Sequence, residues 1–583
     1  MKKILILLFI LTSCSENSDT KGPKASNFDF TTVFEKSEGL ETATYQETIQ
    51  YYTDLAENYE AISIREIGET DSGKPLHIIT LNMNGTGDDF EKLRANNRII
   101  LINNGIHPGE SDGIDATMML FRDLVNGSIE APKHTVLVTI PIYNIGGSLN
   151  RNSGTRTNQN GPKAYGFRGN ARNYDLNRDF IKSDTKNART FAQIFHLVQP
   201  DVFIDNHVSN GADYQYTLTH LFTQHNKLGG PLGGYLHSEM MPKLEQKLAK
   251  KQWDITPYVN VFNRTPDSGF SQFMDSPRYS TGYTSLFNTL GMMIETHMLK
   301  PYKQRVEGTY ELMKSMLEIT EEQGSRITEL RNSQAKTWSS GSTYPLTWAI
   351  DTTKSSTLKF KGYEGHMITS DLTGAPRLKY DRSKPFTKDV SYQNYFIPTT
   401  QVTIPKAYII PRGWHNVIEL LKLNDVQITE IKNDTTLTVA SYRIEDYQTR
   451  TSAYEGHYLH YNTKVKTAEE TLAFRQGDYI IRTDQKAIRY LVETLEPTAP
   501  DSFFNWNFFD TILQQKEGFS PYVWEDKAKL LLKAYPKLQI EYNVKVSYDE
   551  EFANNWFAQL DWIHKKSEHY EKAHLQYPVY RIK

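Results

Sequence analysis

His107 and Glu110 lie three residues apart in Gly105-Ile106-His107-Pro108-Gly109-Glu110. An imidazole and a carboxylate at that spacing on a turn can converge on one metal ion. Zinc accepts nitrogen and oxygen ligands, and its catalytic sites typically keep three protein ligands with one position open. His and Glu three apart occur by chance in most long chains, so the pair alone proves little. The pattern recurs, however. Asp201-Val202-Phe203-Ile204-Asp205-Asn206-His207 is a buried-strand sequence that ends on a second histidine, and Gly291-Met292-Met293-Ile294-Glu295 is one that ends on a carboxylate. The stretch Asn170 to Phe180 has no apolar period and gathers Arg172, Asp175, Asn177 and Arg178. The planar fork of an arginine grips a carboxylate with two parallel hydrogen bonds, which lysine cannot do.

Such groups need strands to hold them. Arg98 to Asn104 is an apolar run suited to a fully buried strand, and Ser111 to Val125 follows as a helix with Ile114, Met118, Phe121 and Val125 on one stripe. His107 and Glu110 therefore fall on a loop at the carboxyl end of a strand, where open α/β sheets place their ligand sites. A lone buried histidine is more often a satisfied core residue. Three strand ends that each deliver a metal-binding or basic group reverse that preference. Upstream, Thr44 to Tyr59 reads as a helix, and Ile62–Ile67 with Leu76–Met83 as a hairpin turned at Gly68 to Lys74. Thr135 to Ile140 is a further buried strand. The alternation predicts an α/β fold with a mixed central sheet flanked by helices.

With 583 residues, 38% hydrophobic and 23% charged, the chain is too long for one core and has a globular composition. A net charge of −3 without a basic block excludes nucleic acid as the main partner. The single cysteine, Cys14, follows a basic start and the apolar run Ile4 to Leu11. That run suits a secretory signal and is too short to span a bilayer. Leu11-Thr12-Ser13-Cys14 looks like a bacterial lipobox. Residues 1–13 are therefore expected to be a lipoprotein signal peptide, with a lipid anchor at Cys14 and residues 14–30 as a tether. The chain would then sit in the bacterial cell envelope, on the periplasmic face of a membrane or on the cell surface. Residues 31–332 read as the catalytic domain. Residues 333–583 read as a β-rich accessory region, with short antiparallel strands at Leu358–Tyr363, Tyr392–Ile397, Gln401–Ile410, Val417–Leu423, Thr435–Tyr442 and Tyr479–Arg482. Helices are expected at Asp501–Gln515, Trp524–Ala534 and Glu550–Tyr570, with Phe503, Phe504, Trp506, Phe508 and Phe509 as packing residues.

His107-Pro108-Gly109-Glu110, then Asp175-Leu176-Asn177-Arg178, then His207, then a late strand-end Glu295, resembles the M14-type zinc carboxypeptidases over about residues 40 to 330. The resemblance implies one Zn2+ per chain, held by His107, Glu110 and His207, with Asp175 orienting the first histidine. It implies Asn177 and Arg178 as the site for a substrate's terminal carboxylate, and Glu295 as general base. The arginine that polarises the scissile carbonyl best matches Arg168, nine residues before Asn177; Arg156 and Arg172 stay open. The family's mobile tyrosine falls to Tyr279 or Tyr283. Substrates would be peptides or peptidoglycan-derived. Rival readings are an N-acyl amino acid deacylase or a peptidoglycan-stem amidase of the same clan, or an inactive relative that binds peptide or glycan.

Overall fold

Residues 28–85 and 87–583 are described in a computed structural model; the expected signal peptide, Cys14 and most of the tether lie outside them. Thr44 caps the helix Tyr45–Asn58, its hydroxyl accepting from Glu47 N while the Glu47 carboxylate returns to Thr44. This is the reciprocal capping box that a Thr-x-x-Glu sequence builds. The hairpin follows as β1 (Ile62–Glu69) and β2 (Pro75–Leu81). Next come β3 (Arg98–Asn103), the helix Asp112–Val125, β4 (Thr135–Ile140), the helix Lys186–Val198 and β5 (Val202–Ser209). Then follow β6 (Leu218–Phe222), β7 (Ile255–Pro257), β8 (Phe270–Ser271), β9 (Leu290–His297) and the helix Tyr302–Gln334.

Eight of these strands form one mixed sheet in the order β1-β2-β4-β3-β5-β9-β6-β7. β3, β4, β5 and β9 are mutually parallel where they pair, β1 and β2 pair antiparallel with their neighbours, and β6 is antiparallel to β9 and parallel to β7. Both faces are covered, so the central strands β3 and β4 carry runs of consecutive apolar residues, Ile99 to Ile102 and Val136 to Val138. Ile99, Leu101, Val136, Val138 and Phe203 face one core; Ile100, Ile102, Leu137, Val202 and Ile204 face the other. The second face is covered by the helices Asp112–Val125 and Tyr302–Gln334. The first is covered by Phe191, Ile194 and Phe195 of the helix Lys186–Val198. It is also covered by Tyr408, Leu421, Phe503, Phe504 and Trp506 from the second half.

The second half departs from expectation in several places. Its strands are β10 (Thr343–Ile350), β11 (Ser356–Thr369), β12 (Pro376–Gln393), β13 (Phe396–Thr403), β14 (Ala407–Ile410), β15 (Thr429–Glu430), β16 (Thr435–Thr449), β17 (His460–Phe474), β18 (Tyr479–Arg482) and β19 (Tyr580–Ile582). β11–β12 and β16–β17 are long antiparallel ribbons. The expected strand Tyr392–Ile397 straddles the break between β12 and β13, and Gln401–Ile410 straddles that between β13 and β14. Val417–Leu423 is not a strand but part of the helix His415–Leu423, whose Val417, Ile418, Leu420 and Leu421 are buried at helical spacing. Asp501–Gln515 is a run of turns with one 3-10 segment, Asp510–Leu513, although Phe503, Phe504, Trp506 and Phe509 are fully buried as expected. Glu550–Tyr570 is two helices, Glu550–Ala553 and Trp556–Lys565.

One buried ion pair ties the segments around the future site. Arg305 Nε and Nη2 reach the two oxygens of Asp112 at 3.0 and 3.3 Å. The same guanidinium donates to the carbonyls of Asn160, Met298, Lys300 and Gly161. Asp112 also accepts from Thr296 Oγ1. Removing one partner of such a pair leaves a desolvated charge, so Asp112→Ala is expected to cost about 3–5 kcal/mol. Denaturant unfolding followed by tryptophan fluorescence measures it, and a loss under about 1 kcal/mol contradicts the assignment.

Candidate active site

β3 ends at Asn103, and Gly105, with φ at +63°, turns the chain there without a Cβ penalty. His107 and Glu110 follow on this turn, and His207 projects from β5. All three are buried, and their ligand atoms lie within 4.8 Å of one another. The far nitrogen of each imidazole faces a carboxylate: His107 Nε2 bonds Asp175 Oδ1 at 2.9 Å, and His207 Nε2 lies 2.9 Å from Asp205 Oδ2. Both Nδ1 atoms therefore face Glu110 Oε2, at 3.3 and 3.2 Å. His107 Nδ1 is buried with no hydrogen-bond partner among the described residues, as is His207 Nε2 despite its closeness to Asp205. A carboxylate on one nitrogen and an inward lone pair on the other is how metal-binding histidines are held. Two nitrogens and a carboxylate also match zinc's donor set, so the residues fit the metal.

Charge around the triad is balanced by guanidinium groups. Glu110 Oε1 lies 3.0 Å from Arg156 Nη1 and 3.5 Å from Arg168 Nη1, and Oε2 accepts the Val208 N–H. Burial alone would raise the Glu110 carboxyl, but His107 and Arg156 outweigh it and hold it well below the usual range. Asp175 is likewise pushed up by burial and pulled further down by His107, Arg168 and Arg178.

Glu295 lies on β9 directly opposite His207 in the parallel register. Burial, reinforced by the nearby Glu110 charge, pushes its carboxyl up to about 7, against the pull of His207 and Arg168. Its carboxylate makes no hydrogen bond to the described residues. A carboxylate poised near neutrality in a cleft suits general-base work.

These residues line one cleft of about 720 Å³. Asn177 and Arg178 form its far wall. Asn177 Oδ1 accepts from Ser280 N at 3.2 Å. Arg178 donates Nη1 to the Asn177 carbonyl and lies with its guanidinium 4.5 Å from the Tyr279 ring centre. Its Nε and Nη2 have no hydrogen-bond partner among the described residues. Arg168 also lines the cleft, with Nε and Nη2 on Asp175 Oδ2 at 3.0 and 2.9 Å. Arg156 lines it as well. Arg172 does not; it packs over Tyr174 and points toward Asp71. Tyr283 is a correction: it is fully buried, donates to Asn424 Oδ1 at 2.6 Å and packs among Phe180, Phe191 and Phe195. Of the two, it is Tyr279 that lines the cleft. Two residues escaped the sequence reading. Asp205 lies two before His207 and so on the same strand face, a signal that was present. Tyr258 lines the cleft from just beyond β7, where no motif marks it.

Residues 48–202 match the model of the zinc carboxypeptidase family, peptidase M14. Carboxypeptidase 2 of Trichophyton rubrum is 20% identical over 502 residues, covering 80% of this chain and 84% of its own. Carboxypeptidase 2 of Trichophyton tonsurans is 20% identical over 453 residues, covering 72% and 76%. Among solved structures, a metallo-carboxypeptidase from Burkholderia cenocepacia aligns with 48% of this chain and 70% of its own, at 16% identity and a TM-score of 0.37. Carboxypeptidase A from Helicoverpa armigera aligns with 48% and 74%, at 13% identity and a TM-score of 0.36. The donor set gives a direct test by metal analysis: wild type is expected to hold about one zinc per chain and His207→Ala far less. Equal zinc in the two would remove His207 from the site. The match over residues 48–202 and the convergent His-Glu-His triad together identify an M14 zinc carboxypeptidase domain in this chain, a metallopeptidase with zinc as its cofactor.

Proposed function

We propose that this enzyme releases residues from the free C-terminus of a peptide or peptidoglycan-derived substrate, with Glu295 as general base. The observation that carries the reading is Arg178. Its guanidinium lies 4.5 Å from the Tyr279 ring centre beside Asn177, lines the cleft that contains Glu295, and keeps Nε and Nη2 without a hydrogen-bond partner among the described residues. An arginine so held matches a carboxylate and is preorganised for it.

His107, Glu110 and His207 would hold the zinc, which would supply Lewis acidity toward a water and a carbonyl. Arg178 and Asn177 fix the substrate's terminal carboxylate and so place the last peptide bond near the triad. Glu295 takes the proton of the attacking water at its carboxylate and returns it to the leaving amine. Proton transfer of this kind contributes on the order of 10²–10⁴-fold. Arg168, charged and already anchored on Asp175, stands ready to stabilise the developing oxyanion.

The test compares a free peptide with its C-terminal amide. Leaving Arg178 unpaired costs about 2–5 kcal/mol, or roughly 30- to 5000-fold in kcat/KM. The free peptide is expected to be trimmed from its end at that advantage. Arg178→Ala should erase most of the difference, and Glu295→Gln should stop turnover of both. Equal cleavage of both peptides at an internal bond would defeat the reading, and turnover of small N-acyl amino acids alone would favour a deacylase. The lipobox-like Leu11 to Cys14 supports a second part of the proposal, attachment to the cell-envelope membrane through Cys14. Wild type should partition with membranes and Cys14→Ser should not; a soluble wild-type protein would end that part.

A further inference from the structure

The ribbon β16–β17 ends in a tight turn, and that turn is driven into the substrate-binding wall. Tyr454 N donates to His457 O and His457 N to Tyr454 O, at 2.7 and 3.1 Å, with Glu455 and Gly456 as the two central residues. Both have positive φ, +50° and +81°, as the favoured two-residue hairpin requires. A side chain at Gly456 would put its Cβ 2.5 Å from the Tyr174 hydroxyl. The close approach leads to one polar contact: Glu455 Oε2 accepts the backbone N–H of Asp175 at 2.9 Å.

The flanks of the turn grip the same wall on both sides. His457 Nε2 bonds Asp184 at 2.7 Å, just beyond the Asp175–Arg178 segment. On the other side Arg278, next in sequence to Tyr279, is paired to Asp501 and lies 5.0 and 5.6 Å from the ring centres of Trp506 and Tyr454, which stack on each other. The turn thus bears on Asp175, which leads into Asn177 and Arg178, and on the segment that carries the ring beneath Arg178.

We propose that Glu455 is a positioning residue for the carboxylate-binding pair, so that the second half of the chain sets how tightly a free C-terminus is held. The proposal rests on the carboxypeptidase reading above. Glu455 fixes the Asp175 N–H, and through it the direction in which Asn177 and Arg178 leave the turn. It touches neither substrate nor metal.

The experiment measures KM and kcat of zinc-saturated full-length protein on a matched pair of free and amidated peptides. Glu455→Ala is expected to raise KM for the free peptide about tenfold, the size of one lost charge-assisted hydrogen bond. Its kcat should stay within about threefold, and the preference for free over amidated peptide should fall by the same factor as KM rises. Glu455→Gln keeps an acceptor oxygen and should restore most of the loss. Gly456→Ala displaces the turn with Glu455 intact and should reproduce the Ala effect, which covers the case that Glu455→Ala folds poorly. A general loss of folded protein would lower both peptides alike and leave the preference unchanged. An unchanged preference in both Glu455→Ala and Gly456→Ala, or no rescue by Glu455→Gln, overturns the proposal. A wild type without preference defeats the carboxypeptidase reading itself, and this proposal with it.

Discussion

Asp175 accepts four hydrogen bonds on two oxygens: His107 Nε2 and the Asn177 N–H on Oδ1, and Arg168 Nε and Nη2 on Oδ2. A buried carboxylate persists only when its lone pairs are filled this way. The side chain therefore cannot relax without releasing His107, a cleft arginine and the first turn of the Asn177–Arg178 segment together. Around it the remaining site residues fall into order. His207 repeats the arrangement with Asp205, and Glu110 sits between both imidazoles with two guanidinium groups to offset its charge.

Much of this was legible in the residues because the relevant strands are buried on both faces. Continuous apolar runs ending on His207 and Glu295 mark both the strand and the position of its last side chain. The His-x-x-Glu turn and the Asp-x-Asn-Arg loop add the order in which the groups occur. Tyr279 and Tyr283 could not be separated in the sequence: Tyr283 lies inside the short helix Ser280–Thr284 and packs in the aromatic core, whereas Tyr279 is the extended residue that caps it and lines the cleft. Sequence shows the residue types there but not where that short helix begins.

The second half was harder for a physical reason. β11–β12 and β16–β17 are ribbons with much of their length in water, so their sequences alternate weakly and only their buried stretches were seen. The helix Pro536–Tyr548 buries no residue fully and gave no stripe to read. His415–Leu423 was misread because a short apolar run serves strand and helix equally well. The Glu455–Gly456 turn has no meaning until it is seen against Tyr174 and Asp175, which lie 280 positions away in the case of Glu455 and Asp175.

The facing of His207 and Glu295 across adjacent parallel strands divides the site into two mechanical parts. Their separation is set by the spacing of hydrogen-bonded strands, about 4.8 Å, and not by any loop. The distance between His207 and Glu295 is thus built into the sheet and is shielded from change at the surface. Asn177 and Arg178 hang instead on a connecting segment, of the kind that tolerates variation far better. In a chain built this way, the turn that reaches Asp175 can alter the cleft wall while the facing of His207 and Glu295 stays constant.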